Sequence, residues 1–345
     1  MRASHVWIGI GISVVLIVLL FSRVDYGQLW SALISADLGV LATAAALLAT
    51  TFAVRSWRWQ YLLRPVKSVR FSAVMAATSI GSMANMILPA RLGELVRALV
   101  LGRQERLETS TSLATVVVER VYDGFAILLM LAALLCFAPL PLTAGGMRTL
   151  RWGALVTFLG YLGVCATLYY LHYSPAHLVR GMKYFERFLP MRWVDKLASA
   201  AASFSNGLQT FSQRKSLGQI VFSSMLLWAI IGLYNALVVW AFHLQLPFTV
   251  GFLLVVFQAF AVMIPSSPGF VGTYHVASVA CLKLWDVNEE IALSVALVMH
   301  AITFVLNVGM GFGYLWSVQG SLREFTKSGQ NGASPSSVPS LKGEI

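Results

Sequence analysis

Long apolar runs constrain this chain more than any other feature. They occur at 5–21, 38–54, 113–137, 152–172, 217–243 and 291–316. About 20 apolar residues in a helix cross the hydrocarbon core of a bilayer, and a helix satisfies its own backbone there. Of the 345 residues, 58% are hydrophobic and 11% charged, whereas about a quarter of a soluble domain is charged. A globule in water cannot hide that much apolar surface. The expected fold class is all-α, a polytopic membrane helix bundle. Only Arg2 precedes the first run, and Ser22-Arg23-Val24-Asp25 closes it without a small-residue cleavage site. That run is expected to be an uncleaved first span, not a signal peptide.

Two more apolar regions are interrupted near their middles. Phe71 to Leu88 runs into Pro89-Ala90-Arg91-Leu92-Gly93 and resumes to Gly102. Phe248 to Ile264 runs into Pro265-Ser266-Ser267-Pro268-Gly269 and resumes from Phe270 to Trp285. Basic residues gather at 55–70 (Arg55, Arg58, Arg64, Lys67, Arg70), at Arg103 and Arg106, within 173–216, and after 317. The other connections are poor in them, and cytoplasmic loops are the basic ones. The alternation closes if each broken segment enters and leaves on one face, the first from the cytoplasm and the second from the opposite side. About six full spans plus two oppositely oriented re-entrant hairpins then put both termini in the cytoplasm of a cell membrane. Met86-Ile87-Leu88-Pro89 with Gly93 echoes Met263-Ile264-Pro265 with Gly269. Such paired Gly/Pro breaks point to an inverted-repeat transporter with a midplane site, because irregular backbone at that depth must line a cavity or be buried in protein.

A transmembrane domain over 1–316 and a cytoplasmic disordered tail over 317–345, rich in Ser, Gly and Pro from Ser328, follow from this pattern. Within 173–216, Leu197, Ala201, Phe204, Leu208 and Phe211 fall on one helical face. Upstream, Phe185, Phe188, Leu189 and Trp193 alternate with Arg180, Lys183, Arg187 and Arg192. Both pieces fit interfacial helices on anionic headgroups or packing against the protein's own underside. The excess of 25 Lys and Arg over 14 Asp and Glu belongs to such loops and to anionic lipid, not to nucleic acid. Cys136, Cys165 and Cys281 lie far apart in apolar runs, with neither zinc nor disulfide spacing, and are expected to pack as small hydrophobes.

Charges inside apolar segments carry the functional information. Arg91, Glu94 and Arg97 follow the first break, and Glu119, Arg120 and Asp123 open the run to Phe137. A charge at a helix centre costs about 2.5–3.5 kcal/mol, so these groups must pair, face a wet cavity or lie at the interface. Glu94 and Arg97 are i,i+3 neighbours, and Glu119 and Asp123 share a face. Arg91 or Arg97 neutralising Glu119 or Asp123 is one reading; a polar floor for a charged headgroup, with arginines suited to phosphate, is the other. The second break offers Ser266, Ser267, Gly269, Gly272 and Thr273, with free amides suited to an anion, followed by Tyr274 and His275. His300 and Asn307 are expected to bond between helices. No metalloprotease, hydrolase-elbow or P-loop motif is present, and no metal or cofactor is expected.

Asn85-x3-Pro89-x-Arg91-x-Gly93-Glu94-x2-Arg97, Glu119-Arg120-x2-Asp123 and Pro265-x2-Pro268-Gly269-x2-Gly272 form an ordered signature. Over about 10–316 it resembles the lysylphosphatidylglycerol synthase transmembrane region, a flippase-like integral membrane family that forms the membrane half of the multiple peptide resistance factor. The resemblance implies a bundle with re-entrant segments that moves lipid headgroups between leaflets. It also implies a headgroup path lined by Arg91, Glu94, Arg97, Glu119, Arg120 and Asp123; Asn85, Ser267, Gly269, Gly272 and His275 are the further candidate substrate-binding residues, with Pro89, Gly93, Pro265 and Pro268 as the structural breaks. The expected partners are membrane lipids with an anionic or lipid-linked headgroup, and a homo-oligomer is compatible. His275 stands where the family's last motif usually ends in an acid, which suits a different headgroup or a pH-sensitive gate. Only a short tail follows Trp316, so no lysyl transfer is expected from this chain. A membrane glycosyltransferase or headgroup transferase component, or a small-solute transporter, is the alternative.

Overall fold

The computed structural model describes residues 25–173, 214–263 and 267–331. The first apolar run, the helices expected between 174 and 213, Pro265 with Ser266, and the tail from 332 lie outside the described residues. Ten α-helices occur among those described: α1 (Tyr26–Ser35), α2 (Leu38–Leu63), α3 (Phe71–Ile87), α4 (Gly93–Glu105), α5 (Thr109–Phe137), α6 (Ala144–Tyr173), α7 (Arg214–Ala241), α8 (Thr249–Met263), α9 (Thr273–Leu282) and α10 (Glu289–Asn331). There is no strand among the described residues. Five helices, α2, α5, α6, α7 and α10, are long and apolar enough to cross a membrane.

Local chemistry sets the boundaries. The carboxylate of Asp25 accepts from the amides of Gly27 and Gln28, and that of Asp37 from Gly39 and Val40, capping α1 and α2. Pro89 and Pro268 each begin a short 3-10 turn, and the residue before each, Leu88 or Ser267, is extended, as the proline ring requires. At 17 and 15 residues, α3 and α8 reach about 25 and 22 Å at about 1.5 Å per residue, short of a hydrocarbon core of roughly 30 Å.

Each short helix is folded back against its successor. Gly93 lies so close to α3 that a Cβ would overlap the Gly81 carbonyl and the Asn85 side chain, and one on Gly81 would sit 2.6 Å from Arg97 Cβ. At the far end Arg70 Nε is 3.0 Å from Glu105 Oε1, so α3 starts beside the end of α4. In the second half, Gln258 on α8 donates to Ser278 on α9 at 3.1 Å.

The two halves have matching contacts. In α2–α5 and α7–α10 alike, the first helix packs on the second, the second on the third, the third on the fourth and the first on the fourth. Between halves, α3 on α10 corresponds to α8 on α5, and α2 on α10 to α7 on α5. The equivalent helices α2 and α7 run antiparallel: Asp37 N–H donates to the Ala241 carbonyl at 2.8 Å, and at the other end Arg58 Nη1 reaches Ser224 Oγ at 3.0 Å. The halves are thus inverted. Ser294 Oγ on α10 reaches the Leu29 carbonyl of α1, placing the start of α10 with the start of α2.

The core follows this arrangement. Leu131, Tyr234, Val238, Leu253, Leu254, Leu293 and Met299 fill the end nearest α1, and Trp59, Leu62, Val74, Leu101 and Val116 fill the other. Helix α6 stands outside it: none of its most apolar stretch is buried, and Trp152, Val156 and Leu159 face outward, an apolar surface suited to lipid. Tyr161 ties its middle inward, donating to the Val121 carbonyl.

Three expectations change. The run expected to end at residue 54 continues as helix to Leu63, because neither glycine nor proline stands between Val40 and Arg64. Arg55 and Arg58 are therefore helical, leaving Arg64, Lys67 and Arg70 as the basic residues of that connection. The tail expected to be disordered from 317 is helical to Asn331, since each residue added to a formed helix gains a bond without a new nucleation cost. Of the cysteines, Cys281 packs in the core, but Cys136 faces outward.

Candidate functional site

The charges singled out on α4 and α5 converge, and a residue from α2 completes them. The Arg58 guanidinium lies 2.7 Å from Glu119 Oε1 and 2.6 Å from Asp123 Oδ1, with neither Arg58 nor Glu119 exposed at all. Arg97 Nη2 is 2.7 Å from Glu119 Oε2, and Arg97 Nε is 3.1 Å from Glu94 Oε2. Arg120 closes the ring, its Nη2 2.8 Å from Glu119 Oε1 and 3.1 Å from Asp123 Oδ2, with Glu94 Oε1 at 3.7 Å. Trp228 on α7 donates to Asp123 Oδ1 at 2.9 Å, and Arg97 lies 4.6 Å over the Trp59 ring.

Helical geometry makes this possible. Glu119 and Asp123 are one turn apart on the inner face of α5. The bare backbone at Gly81 and Gly93 lets α4 approach α3 closely, bringing Arg97 over Trp59. The cluster has a closed side and an open one. Arg58, Arg97, Glu119 and Asp123 are buried, whereas Arg120 is 36% exposed and Glu94 24%.

Arg55, one turn before Arg58, belongs to the same neighbourhood: its charged neighbours are Arg120, Asp123, Arg58 and Glu119. Its Nε is buried without a hydrogen-bond partner, and no carboxylate among the described residues lies within ion-pair distance of it. Four guanidiniums thus face three carboxylates. Of the two pairings considered from sequence, Arg97 does neutralise Glu119. Arg91 is not part of the ring. It is exposed, stands at the first break with φ 55°, and its guanidinium lies 5.7 Å over the Phe270 ring. Asn85 packs against Gly93 with its carbonyl oxygen buried and unbonded.

The two breaks meet. The 3-10 turns Pro89–Arg91 and Pro268–Phe270 are in contact, and a Cβ on Gly269 would sit 3.2 Å from the Met86 carbonyl. Gly269 and Gly272 have φ of 71° and 91°, where a side chain is strained. Ser267 Oγ reaches the Val271 carbonyl at 3.3 Å. His275 is buried and bonds His300 on α10 at 3.0 Å, the inter-helix bond expected of His300. Asn307 instead donates to the Thr303 carbonyl of its own helix.

Arg58 and Arg55 were hidden in the sequence because they resemble loop charges after an apolar run. The signal was the absence of any helix breaker before Pro65. Ser224 and Trp228, on a helix from the other half, carried none.

An apolar, multi-pass helical architecture with a buried arginine–carboxylate cluster beside two abutting helix breaks defines an integral membrane protein built around a charged interior. Residues 6–311 match the family described as the Lysylphosphatidylglycerol synthase TM region, and the chain belongs to it. It is 25% identical to Glycosyltransferase AglD of Haloferax volcanii across 91% of this chain and 54% of that protein. It is 24% identical to a UPF0104 membrane protein of Methanothermobacter thermautotrophicus across 87% of this chain and 90% of that one. The chain therefore spans about half the length of the first relative and most of the second.

Proposed function

We propose that this protein moves a lipid with an anionic headgroup, a phospholipid or a lipid-linked phosphate, between membrane leaflets. The observation that carries this reading is the charge imbalance: Arg55, Arg58, Arg97 and Arg120 against Glu94, Glu119 and Asp123, in a buried cluster open at Arg120. A buried cation without a counter-charge is costly, and one phosphate would supply it through geometry that guanidiniums favour. Arg91, with no carboxylate within ion-pair distance among the described residues, adds a second cation at the junction of the breaks.

In this reading α3–α4 and α8–α9 are re-entrant hairpins and residues 5–21 supply a sixth span. Both termini are cytoplasmic, on the side where Arg64, Lys67, Arg70, Arg103 and Arg106 gather. The domain over 1–316 is the translocating unit. The headgroup passes Arg120 and Glu94 toward Arg91 and the second break, with Ser267, Gly269, Gly272 and His275 lining the farther part, while the acyl chains stay in lipid. Membrane lipids are then the partners, and no cofactor is required.

The test is leaflet exchange of fluorescent phosphatidylglycerol in proteoliposomes, read by quenching from outside. The native protein should speed exchange at least tenfold over empty vesicles, and Arg55→Gln should remove most of that gain while the unfolding midpoint holds. Exchange no faster than in empty vesicles would refute the proposal. The kinship with a glycosyltransferase favours a second reading, a membrane part that serves sugar transfer to a lipid-linked acceptor. Sugar transfer from a labelled nucleotide donor by the purified chain, without lipid exchange, would establish it instead.

A further inference from the structure

A chain of hydrogen bonds threads two histidines across the second break. The Gly272 amide donates to His275 Nδ1 at 3.3 Å. His275 Nε2 and His300 Nδ1 are 3.0 Å apart. His300 Nε2 lies 4.0 Å from where a Gly269 Cβ would be. A backbone amide only donates, so the network assigns the tautomers. His275 carries its proton on Nε2 and gives it to His300 Nδ1; His300 carries its own on Nε2. The two bonds are kept with one proton on each neutral imidazole. A third proton sets two N–H groups face to face, either at Gly272 or between the rings, and one bond of the chain must break.

Those bonds hold a turn that sequence alone does not favour. Gly269, Phe270 and Gly272 all have positive φ, at 71°, 61° and 91°, and a left-handed phenylalanine persists only where its surroundings enforce it. The histidine chain holds this turn by a hydrogen bond at Gly272, and His300 Nε2 stands over its other end at Gly269. The same turn is the contact with the first break, through Gly269 against the Met86 carbonyl and Phe270 beneath Arg91. His275 is the third residue of α9 and accepts the amide of the preceding cap residue, half of a capping box. Glutamate or glutamine ordinarily does this work. A histidine does it only while neutral.

Little else nearby is charged. Tyr274 flanks both rings, its centroid 6.1 Å from His275 and 5.2 Å from His300, and Tyr234 on α7 donates to the Met299 carbonyl. Helices α3 and α8 carry no charged residue. At the far end of α9, Lys283 is paired with Glu289 at 2.7 Å. Arg91 meets Phe270, not the histidines.

We propose that the His275–His300 pair is a proton-binding site whose single protonation releases the Gly269–Gly272 turn and so couples lipid movement to a proton gradient. The proton comes from water on one side, leaves the pair singly positive, and restores the neutral chain when it departs. Proton binding and turn release stand independently; the coupling rests on the translocation reading.

The experiment uses the full chain in nanodiscs, its three native cysteines replaced by alanine and spin labels placed at Met86→Cys and Val271→Cys. Between pH 8 and pH 4 the label separation should lengthen, and imidazole nitrogen spectra should show the pair gaining one proton. His275→Gln keeps the cap acceptor and His300→Gln breaks the ring-to-ring bond; each should abolish the pH response. A separation that ignores pH, or a response that survives in both variants, overturns the proton site. In proteoliposomes, a proton gradient should speed fluorescent phosphatidylglycerol exchange at least tenfold, and His300→Gln should exchange at a rate indifferent to the gradient. Exchange indifferent to the gradient in the native protein overturns the coupling. Exchange absent under every condition overturns the translocation reading and its coupling, while the spin-label result still decides the proton site.

Discussion

Glu119→Gln is the sharpest probe of the charged interior. Glu119 is completely buried and lies within 2.8 Å of a nitrogen from each of Arg58, Arg97 and Arg120. Glutamine keeps the shape but removes the charge, leaving four guanidiniums facing two carboxylates. Breaking a buried ion pair from one side costs about 3–5 kcal/mol, because the partner stays buried and uncompensated. At roughly 1.4 kcal/mol per tenfold, the folded population relative to unfolded should fall by about two to four decades. The assay is reversible denaturant unfolding in mixed micelles. Glu105→Gln serves as the control: Glu105 pairs at 3.0 Å with Arg70, whose side chain is 73% exposed, so its loss should cost under about 1 kcal/mol. A double variant with Arg97→Gln should lose less than the two single losses together, by at least about 1 kcal/mol, since the two side chains touch. If Glu119→Gln cost no more than Glu105→Gln, or the double variant were strictly additive, the cluster would not be a desolvated network and the argument from its excess cation would fail.

Gly93→Ala should lower stability by about 1–3 kcal/mol through forced separation of α3 and α4, whereas Gly160→Ala, with open space around it, should be silent in the same unfolding assay. Gly269→Ala should cost about 1–2 kcal/mol, the usual penalty for a Cβ in the left-handed region, and thermal unfolding in detergent reads it. Arg55→Gln should leave stability within about 0.5 kcal/mol or raise it, because its charge has no partner to strand. The same substitution should weaken binding of phosphatidylglycerol at least tenfold in native mass spectrometry; unchanged binding would remove Arg55 from the lipid site.

The sequence by itself determined the solvent, the class of fold and the breaks. Lipid admits little besides self-satisfied helices, so runs such as 217–243 could be read directly, and the proline at 89 stops a helix by local sterics. It also determined that Glu94, Arg97, Glu119, Arg120 and Asp123 needed partners, since helical periodicity places Glu119 beside Asp123 and Glu94 beside Arg97. Tertiary structure alone decided who those partners are. Arg58 reaches Glu119 across 61 positions and Trp228 reaches Asp123 across 105, and no local rule relates residues so far apart. The meeting of Gly269 with Met86, and of His275 with His300, likewise depends on two inverted halves closing on each other. Local sterics and solvation are written residue by residue along the chain; which faces come together is a property of the packed bundle.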